Sequence, residues 1–317
     1  MLQIVGGLVL LGVGGEFVVR GAVGVARRLG VSELMIGLTL VGFGTSTPEL
    51  ITSINAALRG STDVAVGNVV GSNISNVLLI AAVTATFVPI AVQRAAVMRD
   101  GVMMIISAAM LAAYVMVQPI IEWWAGAIGV SLLIWYLWST WLRERRTTTP
   151  SAELHREEAQ LRGPPAPRLG ISMLLALVGV VALIFGADYL VRGAITLARL
   201  AGMSETVIGL TIVAVGTSLP EFVATLASAI KGKSDVAFGN VVGSNIYNVL
   251  GILGITAIVK PLPVPPDLTW IDWSVFVGSA VLLVIHALTG SRVRRIEGAS
   301  LLLLYVAYVA YLVLRSG

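Results

Sequence analysis

Glu49 and Glu221 stand in two nearly identical hexapeptides, Gly44-Thr45-Ser46-Thr47-Pro48-Glu49 and Gly216-Thr217-Ser218-Leu219-Pro220-Glu221, each in the middle of a long apolar stretch. A charged side chain at the centre of a membrane helix costs roughly 2.5–3.5 kcal/mol even on a lenient insertion scale. No Lys or Arg lies nearby within 33–58, 63–88, 204–230 or 235–259 to neutralise either carboxylate, so a function rather than a buried ion pair is expected at both. Proline lacks the backbone donor and clashes with the carbonyl four residues back. Pro48 and Pro220 are therefore expected to bend their helices and to free the Gly44 and Gly216 carbonyls beside each carboxylate. Such backbone is tolerated in hydrocarbon only where protein buries it or it lines a wet cavity.

Further along, Asn68, Ser72 and Asn76 recur every four residues, as do Asn240, Ser244 and Asn248, giving two polar helical stripes. Gly67 with Gly71, and Gly239 with Gly243, supply the small-residue spacing that lets helices approach closely. Together these segments offer two carboxylates, the hydroxyls of Thr45, Ser46, Thr217, Ser218, Ser72 and Ser244, and the amide oxygens of Asn76 and Asn248. All are hard oxygen donors, which suit Ca²⁺ or Na⁺; imidazole- or thiolate-loving metals would want the His or Cys that these segments lack. Interhelical hydrogen bonding is the competing use of the Ser and Asn stripes, and for Asn68, Asn240, Asn73 and Asn245 it is the favoured one.

The elements that carry these groups must be membrane helices. Hydrophobic residues make up 57% of the 317 and charged ones 12%, and mean hydropathy is +0.92, far from a soluble domain. About ten stretches reach the roughly 20 apolar residues a span requires: 2–27, 33–58, 63–88, 97–117, 122–142, 169–198, 204–230, 235–259, 270–289 and 296–315. The first is too long for a signal-peptide core and is expected to remain as a helix. The absence of cysteine excludes disulfides and thiolate chemistry.

Residues 31–80 align without a gap on 203–252, at an offset of 172 and with 29 of 50 positions identical. This is a duplication. Five spans per copy make the second copy enter from the opposite side. The expected fold is all-α and integral to the membrane, with ten transmembrane helices as two inverted five-helix repeats. The first repeat is 1–142, the Pro- and charge-rich 143–168 is a cytoplasmic linker, and the second repeat is 169–317. Inverted repeats are a recurring plan of secondary transporters, with the site at the midplane between repeats.

Basic residues follow topology. Arg27, Arg28, Arg94, Arg99, the six arginines of 143–168, Lys231, Lys233, Arg292, Arg294 and Arg295 fall on one side, 15 of 21. This predicts a multi-pass cell membrane protein with both termini outside, and the net charge of +4 needs no nucleic-acid partner. No obligatory protein partner is evident.

Other features read as structural. Asp63 and Asp235 are expected to cap the helices they open. Glu16 with Arg20, and Asp188 with Arg192, are i,i+4 pairs. His155 and His286 have no metal-binding companions. Trp123, Trp124, Trp135, Trp138 and Trp141 suit an interfacial belt.

The two hexapeptides, each followed by D-V-A-x-G-N-V-V-G-S-N-I-x-N-V-L, resemble the paired alpha repeats of the cation/calcium exchanger superfamily, and the chain is similar to its prokaryotic members. The likeness extends more loosely to 15–22 and 186–194. It implies a ten-helix antiporter in which Glu49, Glu221 and the backbone oxygens of Thr45 and Thr217 hold Ca²⁺. It further implies Na⁺ sites built from Ser46, Ser72, Ser218, Ser244 and the carbonyls of Gly42 and Ala214, with Asn76 and Asn248 at the centre. Within the family, the first and sixth helices slide to switch access.

Asn248 stands where potassium-dependent relatives carry Asp, which makes potassium coupling the less expected outcome. Two fixed negative charges are balanced by one divalent or two monovalent cations, so exchange of Na⁺ for Ca²⁺ is expected, with no cofactor and no enzymatic activity. Exchange of a divalent cation for H⁺ is the alternative. A hydrolase would need one activated nucleophile and base, yet every candidate is duplicated, and a passive channel conflicts with the cost of an empty, charged site.

Overall fold

The structure is a computed structural model that describes residues 2–146, 168–200 and 218–316. In chain order the helices are α1 (Leu2–Leu29), α2 (Leu34–Thr45), α3 (Thr47–Leu58), α4 (Thr62–Phe87), α5 (Arg94–Val117), α6 (Trp123–Arg146), α7 (Leu169–Leu200), α8 (Leu219–Ile230), α9 (Ser234–Val259), α10 (Trp270–Leu288) and α11 (Arg295–Ser316). Among the described residues eight of these are long and apolar enough to span a membrane, and α2 with α3 forms a ninth span bent by 44°. The short apolar α8 continues a stretch whose earlier part, 204–217, lies outside the described residues, as does most of the 143–168 segment.

Packing separates core from rim. The spanning window of α9 is 89% buried and that of α4 72%, against 11% for α11. The outer helices turn large apolar side chains such as Trp135, Trp138, Leu303 and Val306 outward, as a lipid-facing surface requires.

The central helices α4 and α9 run antiparallel. The loop after α4 brings Gln93 to Asp235 at the start of α9, Nε2 donating to Oδ2 at 3.4 Å. Four two-residue strands then tie the halves together: β1 (Ile90–Ala91), β2 (Ile120–Ile121), β3 (Leu262–Pro263) and β4 (Arg292–Val293). β1 pairs antiparallel with β4, Ile90 opposite Val293, and β2 with β3, Ile121 opposite Leu262. Adding the sequence offset of 172 to Ile90 and Ile121 gives Leu262 and Val293. The two pairings are thus the same contact made twice with the copies exchanged.

Glycine sets the close approaches. α1 crosses α7 backbone to backbone. A Cβ on Gly14 would sit 2.9 Å from the Leu183 nitrogen and 3.0 Å from the Gly179 carbonyl, and one on Gly186 would sit 2.9 Å from the Leu11 nitrogen. Gly37, Gly239 and Gly243 do the same between α2 and α9, where a Cβ on Gly243 would lie 2.6 Å from the Leu38 carbonyl. The expected close packing at Gly239 and Gly243 is therefore present, whereas Gly67 and Gly71 have nothing within 4 Å.

Gly60 and Gly232, with φ of +86° and +70°, reverse the chain from α3 to α4 and from α8 to α9. At both turns the next N–H returns to a carbonyl five residues back, Ser61 to Ala56 and Lys233 to Ser228, a closure that wants a left-handed residue before it. Each turn folds a glutamate-bearing helix back onto its Asn/Ser helix.

Candidate functional site

The break between α2 and α3 falls at Ser46, with φ −85° and ψ 7°, and α3 opens with Pro48 in its first turn, where a missing N–H costs nothing. α8 begins identically after Ser218, φ −91° and ψ 6°, with Pro220 in its first turn. Glu49 and Glu221 therefore lie in the first turns of new helices, where amide groups and the helix dipole favour a carboxylate. One sequence expectation needs correction here. The Gly44 carbonyl is not bare: backbone N–H groups at the Ser46 cap return to the Gly42 and Gly44 carbonyls, and the Thr47 hydroxyl donates to the Phe43 carbonyl at 3.1 Å. The chain starts a fresh helix at once, so the proline relocates the break rather than exposing that oxygen.

The other Asn/Ser residues arrive on α4 and α9. Both helices loosen into π-turns where the site lies, over Asn76–Ala81 and Tyr247–Leu253, a distortion often found at functional positions. α3 packs on the 247–253 turn and α8 on the 76–81 turn. Each glutamate helix thus meets the Asn-bearing turn of the other copy.

Thr45, Ser46, Glu49, Ser72, Asn76, Ser218, Glu221, Ser244 and Asn248 are all buried. Gly42 is buried as well, its carbonyl accepting the Ser46 N–H at 3.1 Å. Thr217 and Ala214 lie outside the described residues. The Ser46 hydroxyl donates to Glu221 Oε1 at 3.0 Å. Thr45 Oγ1 donates to the Val41 carbonyl at 3.0 Å and reaches Asn240 Oδ1 at 3.3 Å. Asn240 in turn donates to the Glu221 main-chain carbonyl at 3.2 Å and to Thr225 Oγ1 at 2.8 Å. In the first copy Asn68 repeats this brace, donating to the Glu49 carbonyl at 3.3 Å and to Ser53 Oγ at 3.0 Å. Asn68 and Asn240 thereby act as the interhelical fasteners that the sequence favoured.

Neither glutamate has an ion-pair partner among the described residues. Glu49 Oε2, Glu221 Oε2, Ser244 Oγ and Asn248 Oδ1 are buried with no hydrogen-bond partner among the described residues. An unpartnered buried polar atom costs about 1–3 kcal/mol, more when charged, so these oxygens demand a counterpart. Two carboxylates with neutral hydroxyl and amide oxygens form a hard, anionic donor set suited to alkali or alkaline-earth cations.

Several features escaped sequence reasoning. Asp100 and Asp272 are buried and take the hydroxyls of Tyr136 and Tyr308 at 2.7 and 2.8 Å. Arg99 grips Asp100 through two bonds, and Arg315 reaches Asp272 at 2.9 Å. Carrying the offset of 172 beyond 31–80 would have matched both pairs. Asp63 and Asp235 correct another expectation: neither α4 nor α9 has a side-chain N-cap bond. Both residues lie in the first turn, where charge complements the dipole, and Asp235 serves Gln93. The i,i+4 pairs are present, Asp188 with Arg192 at 2.8 Å and Glu16 with Arg20, and Glu16 additionally engages Lys231 beyond α8. His286 bonds its own helix at the Leu282 carbonyl, while His155 lies outside the described residues.

A bundle of apolar spanning helices closed around a buried cluster of hard oxygens defines a membrane transporter of cations. The chain belongs to the sodium/calcium exchanger protein family, whose model matches residues 1–142 and 171–314. It is 35% identical over 336 residues to the sodium/calcium exchanger MaX1 of Methanosarcina acetivorans, covering 96% of each chain. It is 31% identical to the inner membrane protein YrbG of Escherichia coli, covering 88% of this chain and 86% of that one. Among solved structures it matches the sodium-calcium exchanger NCX_Mj soaked with zero Na⁺ and Ca²⁺, with a TM-score of 0.83, 29% identity, and 98% and 97% of the two chains covered.

Proposed function

We propose that this protein is a secondary active antiporter that exchanges Na⁺ for Ca²⁺ across the cell membrane at the Glu49–Glu221 site. The observation that carries this reading is a set of four buried oxygens, two of them carboxylate, that have no hydrogen-bond partner among the described residues. Family membership and the match to named sodium/calcium exchangers support it.

The proposed organisation is ten spans in two inverted five-helix repeats, 1–142 and 169–317, joined by a cytoplasmic linker at 143–168, with both termini outside. Antiparallel α4 and α9, and the two strand pairings related by the offset of 172, support the inversion. The proposed ligands are Glu49, Glu221, Thr45, Thr217, Ser46, Ser218, Ser72, Ser244, Asn76, Asn248, Gly42 and Ala214.

Glu49 and Glu221 supply the fixed charge, and the hydroxyl and amide oxygens complete the shell. An empty site would carry two uncompensated charges through a low-dielectric barrier, which opposes return of the unloaded site. One Ca²⁺ or at least two Na⁺ restore neutrality, so loading with either ion permits the crossing. This couples the two fluxes.

The test is uptake of labelled Ca²⁺ into proteoliposomes under Na⁺, K⁺ and H⁺ gradients imposed one at a time. Uptake is expected only with an outward Na⁺ gradient. Uptake that follows a pH gradient with Na⁺ absent would select divalent cation/H⁺ exchange instead, and large unitary currents would make the protein a channel.

A further inference from the structure

Asn73 and Asn245, one from each copy, close a ring through each other's main chain, and Asn248 and Asn76 are bonded to it. Asn73 Nδ2 donates to the Asn245 main-chain carbonyl at 3.2 Å, and Asn245 Nδ2 donates back to the Asn73 carbonyl at 3.4 Å, with Met104 Sδ also at 3.4 Å. Asn248 Nδ2 donates to Asn73 Oδ1 at 2.9 Å, and Asn76 Nδ2 to Asn245 Oδ1 at 3.0 Å. All four residues are buried.

An asparagine amide is ambivalent, since a half-turn exchanges its donor and acceptor ends. A cation can use only the oxygen. The ring removes the ambiguity because it starts from main-chain carbonyls, which only accept and cannot turn over. The Asn245 carbonyl compels Asn73 to face it with Nδ2. Asn73 Oδ1 must then face Asn248, and an acceptor there requires Asn248 to present its Nδ2. The oxygen of Asn248 is left pointing out of the ring, and it is one of the buried atoms without a hydrogen-bond partner among the described residues. The Asn73 carbonyl imposes the same order on Asn245 and Asn76.

We propose that Asn73 and Asn245 are positioning residues that lock Asn248 and Asn76 with their amide oxygens toward the transported cations, and that they hold both of those positions neutral. Neutrality follows because an ionised carboxylate at 76 or 248 would set its oxygens against Asn245 Oδ1 or Asn73 Oδ1. The fixed charge of the site therefore stays with Glu49 and Glu221. This inference rests on the proposed reading that Asn76 and Asn248 face the transported ions.

The experiment uses the full-length protein in proteoliposomes and compares wild type with Asn73→Leu, Asn245→Leu and Asn73→Ser. Leucine keeps the side-chain shape but removes the acceptor, and serine restores an acceptor oxygen. The leucine variants are expected to raise the half-saturating Na⁺ and Ca²⁺ concentrations by about tenfold, the low end of losing an outer partner of a metal ligand, while the rate at saturating ions stays close to wild type. Asn73→Ser is expected to recover part of that loss. Unchanged half-saturation in Asn73→Leu and Asn245→Leu, with only yield or thermal stability reduced, would make the ring a packing device and overturn the proposal. So would a serine variant as impaired as leucine. If a leucine variant does not fold, Asn73→Ala, which leaves room for water, is read in the same way. Wild-type protein without Na⁺-driven Ca²⁺ uptake would fail the exchange reading itself, whereas active wild type with unaltered variants would fail the positioning role alone.

Discussion

The two copies share most of their residues around the site, yet they do not make the same contacts. Ser46 of the first copy bonds Glu221 of the second, while among the described residues Ser218 makes no matching bond to Glu49. Glu16 on α1 reaches Lys231 at the end of α8. Among the described residues its counterpart on α7, Asp188, pairs with its own helix neighbour Arg192 alone, and Arg59, the counterpart of Lys231, is exposed with no ion-pair partner. The asparagine ring, by contrast, is nearly symmetric. A near-symmetric sequence in an asymmetric arrangement has a second arrangement with the copies' roles exchanged and similar local contacts available, as alternating access requires. The lesson is that the asparagines are built to stay, while the contacts around them, at the glutamates as at the rim, are built to differ.

The strongest test of symmetry at the centre is removal of either charge. Glu49→Gln and Glu221→Gln are each expected to abolish Na⁺-driven Ca²⁺ uptake. Loss of one buried charge partner costs about 3–5 kcal/mol, on the order of 100-fold or more in rate or affinity. Substantial flux surviving in one variant alone would show that the carboxylates are not equivalent.

Next come the two aspartate–tyrosine clamps. Tyr136→Phe and Tyr308→Phe each delete a hydroxyl that bonds a buried carboxylate, an interaction worth about 1.5–3 kcal/mol. Both should lower the thermal unfolding midpoint in detergent. Asp272 keeps Thr269 and Arg315 as further partners, so a much smaller loss for Tyr308→Phe would mark the second clamp as redundant.

The α1–α7 crossing offers an internal control. Gly14→Ala would force a Cβ onto α7 backbone and is expected to destabilise by about 1–3 kcal/mol through overpacking, whereas Gly12, with nothing within 4 Å, should accept alanine without loss. Equal effects at both positions would refute the backbone contact. Smallest is the ion pair that distinguishes the periphery. Lys231→Ala should cost about 0.2–1 kcal/mol, an effect that high salt removes, and Arg59→Ala should change nothing. A larger effect at Arg59 would reverse the asymmetry.

Much of the site was legible in the sequence. The cost of a mid-span charge singled out Glu49 and Glu221, the four-residue spacing placed Ser72, Asn76, Ser244 and Asn248 on helical stripes, and the offset of 172 related the copies. Composition and span length fixed a lipid-facing helical bundle. Proline marked the breaks at Ser46 and Ser218, although not which carbonyls would stay free, because that depends on whether the chain resumes a helix at once. The buried pairs Asp100–Tyr136 and Asp272–Tyr308 are 36 residues apart in the chain, too far for any local pattern to announce them.

What the sequence determined by itself is the chemistry available: oxygen donors, two fixed charges, and duplicated helices whose apolar length requires a membrane. Only the tertiary structure decided how those donors are turned. An amide has no preferred orientation of its own, and that of Asn248 is set by Asn73, 175 positions away in the chain, and through it by the Asn245 main-chain carbonyl. The type of ligand is written in the side chain, but the direction in which it points is a property of the neighbours that folding brings to it.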